Sequence, residues 1–156
     1  MLNSFAICRY EISFTEYDQF AEATKRQKPD DLNRGRKNRP VINITWNDAI
    51  AYLNWLTTQT GKPYSLPSEN QWKYAAQIRR AKSKNNPFGL FDMIGNVWEW
   101  IADPENNNAP KEKKQMIRGC PWLNTPKDCR TTKQLGLSSN TKSNDIGFRC
   151  ISPTTK

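Results

Sequence analysis

The segment NPFGLFDMIGNVWEW, residues 86–100, sets acids at Asp92 and Glu99 in a stretch that also holds two glycines and four aromatic rings. A hard cation such as calcium collects about six to eight oxygens from carboxylates, carbonyls and water. A glycine-kinked loop with an acid at each end can aim Asp92, Glu99 and the carbonyls between them at one point. The competing reading has both acids bonded to amides of the loop or paired with a buried arginine. Arg149, between Phe148 and Cys150, is expected to reach a carboxylate or a carbonyl inside the domain.

The cysteines Cys8, Cys120, Cys129 and Cys150 are the other groups with chemistry. None forms a C-x-x-C pair, which argues against a zinc ribbon or a thioredoxin-type site. Cys120 and Cys129 are close enough in sequence to be bridged in an oxidising compartment, and buried free thiols packed as small apolar groups are the alternative for all four. The chain contains no histidine, which removes the commonest general base and the commonest ligand of zinc, copper and non-haem iron. Ser-His-Asp and Cys-His catalysis are thereby excluded within this chain.

Elements must position these groups. AICRYEIS, residues 6–13, alternates as a short strand. Ser13 and Glu16 then form a capping box ahead of Tyr17, Phe20, Ala21 and Thr24 on one helical face. The clearest helix starts at Thr45, with Asp48 at its third position and Ala49, Tyr52, Leu53 and Leu56 inward, and stops at Gly61. Ser68 and Gln71 make another capping box, with Trp72, Ala75 and Ala76 facing the core. MIRGCPW and IGFRCI read as strands, and most of residues 123–145 reads as loop. Trp98 and Trp100 are read as core residues on opposite sides of an extended segment. The organisation is α+β: two short helices with short twisted antiparallel strands and long loops, in one domain over residues 1–156.

The net charge of +9 invites a nucleic-acid reading, but the basic clusters are scattered and none is interleaved with stackable aromatics. No nucleic-acid motif is present. No run of about 18 apolar residues occurs, so no membrane span is expected. No export signal is visible; the expected location is the cytoplasm, or the periplasm or exterior where a signal has been removed.

In this order, YEISFTEYDQFAEAT, RPVINITWNDAIAYLNWL, YSLPSENQWKYAA, NPFGLFDMIGNVWEWIAD, IRGCPW and SNDIGFRC resemble the formylglycine-generating-enzyme (sulfatase-modifying-factor) family over residues 10–150. That resemblance implies the family's variant of the C-type lectin fold. It implies one calcium site using Asp92 and Glu99 by side chain and Gly95 and Val97 by carbonyl. The family's oxidases bind copper(I) with two cysteines; Asn124 falls at the first of these positions and Cys129 at the second, so the pair is incomplete. Family sulfoxide synthases hold iron with histidines, which this chain lacks. Leu53 stands where the resemblance puts the disulfide partner of Cys150.

A degenerate, non-catalytic member is therefore expected, with at most one calcium ion and neither copper nor iron. Its recognition face is expected on the loop from Leu123 to Asp145, through Trp122, Asn124, Lys127, Arg130, Lys133 and Asn140, toward a protein or small-molecule ligand. Two alternatives stand beside it. One is a receptor diversified by a retroelement, varying within residues 117–150; the other is a copper oxidase whose missing thiolate comes from another chain. An unpaired edge at the first strand leaves room for a homodimer.

Overall fold

The computed structural model describes residues 4–77, 90–93, 95–102, 114–121 and 134–154. Three helices and six strands form there, one helix more than the two expected. Each capped start becomes a helix. Ser13 and Glu16 close a reciprocal box at the head of α1 (Phe14–Ala23), and Thr45 and Asp48 do so for α2 (Trp46–Thr60). The Ser68 amide donates to Gln71 Oε1 at 2.8 Å ahead of α3 (Glu69–Gln77). Gly61 ends α2 in the left-handed conformation at φ 70°, which glycine adopts without a Cβ clash.

The strands are β1 (Phe5–Ile7), β2 (Trp98–Trp100), β3 (Gln115–Gly119), β4 (Gln134–Leu137), β5 (Ile146–Phe148) and β6 (Ile151–Pro153). One sheet runs β4-β3-β2-β5, with β2 and β5 parallel and the other pairs antiparallel. The other pairs β1 with β6, antiparallel. The strand expected over residues 6–13 is thus confined to its start, and β4 lies in a region expected as loop. IGFRCI, expected as one strand, is two strands in different sheets, with Arg149 and Cys150 at the corner between them.

Trp98 and Trp100 share one sheet face, because strand side chains alternate with period two; the expectation of opposite sides is corrected. Both belong to the main core with Tyr17, Phe20, Tyr52 and Phe148. Tyr52 stacks on Tyr17 at 5.7 Å and meets Phe148 edge-on at 5.5 Å, so α1, α2 and β5 share one aromatic centre. Trp72, Ala75 and Ala76 of α3 build a smaller cluster with Leu90, Met93 and Ile101.

Cys8 and Cys150 form a disulfide, which corrects both the free-thiol alternative and the loss of a partner for Cys150. The reason is the β1–β6 pairing, which continues as the Cys8 amide donates to the Cys150 carbonyl at 2.8 Å. The bond spans 142 residues, and closing so long a loop restricts the unfolded chain. Replacing both cysteines by serine, or reducing the protein, is expected to lower stability by about 2–5 kcal/mol. Denaturant unfolding with and without reductant checks this, and an unchanged midpoint would refute it.

Candidate functional site

Of the acids at 92 and 99, Glu99 meets Arg149. Its guanidinium is fully buried and meets the equally buried Glu99 carboxylate, Nε donating at 2.9 and 3.0 Å and Nη2 at 2.6 Å. Trp72 Nε1 donates to Glu99 Oε2 at 2.7 Å. The remaining arginine hydrogens go to the carbonyls of Cys8 at 3.2 Å, Arg9 at 3.4 Å and Phe91 at 3.0 Å. Arg149 reaches this point because the chain turns between β5 and β6. Glu99 points away from the face of Trp98 and Trp100 by strand alternation.

Glu11 completes the centre. It is 5% exposed; Oε2 lies 3.6 Å from Arg149 Nη2, and Oε1 accepts from Asn96 Nδ2 at 3.2 Å. Burial and then the Glu99 charge push its pKa up to about 8, against the pull of Arg149. Burial also opposes the charge of Arg149, yet Glu99, by charge and hydrogen bonds, with Glu11 and Asp92, holds its pKa above the usual arginine value. Sequence reasoning missed Glu11 because its strand pattern resembles an ordinary half-exposed edge. The only local signal was a carboxylate immediately before the apolar Ile12 and the Ser13 cap.

These positions do not fit calcium as arranged. Among the described residues, the four close contacts to the Glu99 oxygens come from Arg149 and Trp72. Asp92 is exposed and left-handed at φ 56°. Gly95 is left-handed too, at φ 120°, but the carbonyl of Val97 lies 3.3 Å from where a Cβ on Gly119 would stand, turned toward β3. Among the described residues no group of three or more acids and cysteines could hold a metal ion.

Of the expected recognition residues, Asn140 is described: its Oδ1 accepts from Asn47 Nδ2 at 3.0 Å, fastening the C-terminal loop to the first turn of α2. Trp122, Asn124, Lys127, Arg130 and Lys133 lie outside the described residues. Cys120 is fully buried and disulfide-bonded, and Cys129, the partner expected for it, lies outside the described residues. No free cysteine occurs among the described residues.

Glu99→Gln removes the directly bonded countercharge of the guanidinium and is expected to cost about 3–5 kcal/mol of stability, measured by urea unfolding. The raised pKa of Glu11 means that the folded state binds the extra proton between about pH 4.5 and 8. Stability is therefore expected to fall as pH rises through that window. Glu11→Gln should flatten the slope, and an unaltered slope in this variant would exclude Glu11 as its source. Calcium is expected to leave the melting temperature unchanged; a saturable rise that Asp92→Asn removes would restore the calcium site.

The chain matches the family model of the sulfatase-modifying factor enzyme 1-like domain over residues 1–85 and 77–154. It is 28% identical over 158 residues to the inactive C-alpha-formylglycine-generating enzyme 2 of Bos taurus, covering 72% of this chain and 50% of that protein. To the formylglycine-generating enzyme of Streptomyces coelicolor it is 27% identical over 173 residues, covering 74% of this chain and 53% of that protein. The chain thus spans about half the length of these curated relatives. Its structure is similar to PvdO from Pseudomonas aeruginosa, with TM-score 0.82 and 25% identity over 96% of this chain and 80% of that one. It shares the fold of Treponema denticola variable protein 1, with TM-score 0.74 and 18% identity over 96% of this chain and 84% of that one. A family match over nearly all of the sequence, joined to this α+β architecture, makes the protein a member of the sulfatase-modifying-factor, or formylglycine-generating-enzyme, family.

Proposed function

We propose that this protein is a non-catalytic binding or regulatory member of its family, recognising a protein or small ligand through the face carrying its C-terminal loop. The observation that carries the reading is the residue inventory at the positions where relatives do chemistry. By family resemblance, Asn124 takes the place of one copper-binding cysteine, and the chain has no histidine with which to hold iron. Cys129 by itself does not complete a two-sulfur copper(I) site. The disulfide at Cys120 leaves no thiolate there to substitute. Similarity to relatives named as inactive formylglycine-generating enzymes, from Bos taurus and Mus musculus, supports the same reading.

The buried ion pair is consistent with a scaffold role. Its donors and acceptors are spent on one another, and it holds the chain on which the loop is mounted. Recognition is then assigned to the residues that the sequence points to: Trp122, Asn124, Lys127, Arg130, Lys133 and Asn140.

The decisive assay supplies purified protein with copper(I) or iron(II), oxygen and a cysteine-containing peptide. No metal-dependent oxidation is expected. Turnover that disappears in Cys129→Ser would overturn the proposal in favour of an oxidase with an incomplete cysteine pair.

A further inference from the structure

A concavity lies away from the ion pair, where the end of α1, the segment after it and the start of α2 meet the C-terminal loop. Its volume is about 550 Å³, and its lining includes Tyr17, Arg26, Lys28, Asp30, Asp48 and Lys142. That size falls within the range of about 300–1,000 Å³ usual for small-molecule sites. We propose that this cleft binds a small sugar phosphate: an anion for its cationic rim, with hydroxyls for the polar groups of its floor.

The floor is rigid. Tyr17 and Ile44 are only 3% and 1% exposed. The Tyr17 ring is held by Tyr52 at 5.7 Å and by Phe20 at 5.2 Å. Its hydroxyl makes no hydrogen bond to any described residue and is not sealed from the cleft. Burial, and then the charge of Asp48, raise the phenol pKa, so this group keeps its proton at neutral pH and can donate a hydrogen bond. A nearly buried donor facing a polar cleft without a partner is a feature that a ligand hydroxyl satisfies.

The rim carries the charge. Arg26 lies 5.0 Å over the Phe20 ring and 3.8 Å from Asp48. Lys28 bonds Glu22 at 2.5 Å, whereas Lys142 makes no ion pair with any described residue. Asp30 accepts from the Leu32 amide at 2.8 Å and Asp48 from the Thr45 amide at 3.0 Å, bonds that orient both carboxylates and leave their charge in place. Three cations against two acids leave the lining with an excess of one positive charge, and with Arg26 and Lys28 ion-paired it is Lys142 that can turn to a tetrahedral anion. Asn43 fixes the walls relative to each other, its side chain donating to the Asp30 carbonyl at 2.9 Å and its amide to the Ser143 carbonyl at 3.0 Å.

The aromatic rings select between phosphorylated ligands. Tyr17 is stacked on Tyr52 and Phe20 is covered by Arg26, so neither offers an open face on which a nucleobase could stack. A sugar phosphate uses the cations and the hydroxyl without needing such a face. The inference is independent of whether the chain is catalytic.

Isothermal titration of the full chain with glucose 6-phosphate, glucose, inorganic phosphate and AMP tests it. Saturable binding of glucose 6-phosphate is expected, tighter than of the other three probes and weakened by salt. Lys142→Gln, at an exposed position, should weaken it about tenfold, and Tyr17→Phe should weaken it severalfold with the fold intact by circular dichroism. Three results would each overturn the proposal: no saturable binding of glucose 6-phosphate, equal or tighter binding of phosphate or AMP, or an affinity that neither variant changes.

Discussion

A guanidinium with no exposed surface must be given a countercharge and carbonyl partners, and the fold of this protein is organised around that requirement at Arg149. Glu99 supplies the charge from β2, while Cys8, Arg9 and Phe91 supply carbonyls from segments distant in sequence. Trp72 brings α3 to the same carboxylate. One side chain thus fastens the N-terminal segment, the glycine-containing loop and the central sheet. The neighbouring Cys150 is bonded covalently to Cys8, so the corner between β5 and β6 is held twice.

The same requirement explains why Glu99, which resembles a metal ligand, acts as a structural partner here. A carboxylate engaged by both an arginine and an indole has little left to offer a second cation, and that cation would be repelled by the guanidinium. Glu11 is the uncompensated part of the arrangement: with Glu99 neutralising Arg149 first, a second buried carboxylate gains from keeping its proton. The close approach of the strands adds a steric condition. A Cβ on Gly147 would stand 2.7 Å from the Val41 carbonyl, so glycine at the start of GFR is required by backbone packing. The polar centre and the tight backbone contact beside it therefore constrain the same corner.

Recognition is better suited to the periphery than to this centre. The C-terminal loop is tied down at Asn140 and Ser143 by α2 and the segment before it, while Lys142 between them stays exposed. A rigid attachment with displayed side chains restricts what the loop must order on binding. Some of the scattered cations of this +9 chain become a local feature where folding gathers Arg26, Lys28 and Lys142 around one cleft.

The sequence by itself determined the helices and the core face of each, because a capping residue and its partner lie three positions apart and apolar residues recur within a few turns. It also determined the family, through NPFGLFDMIGNVWEW and GFR, and the absence of histidine chemistry. Only the tertiary structure decided that Cys150 meets Cys8, that IGFRCI divides between two sheets, and that Glu11 joins Glu99 at Arg149. Those contacts join residues up to 142 positions apart. No periodicity encodes them; strand pairing and the need to neutralise a buried charge select them once the chain has closed.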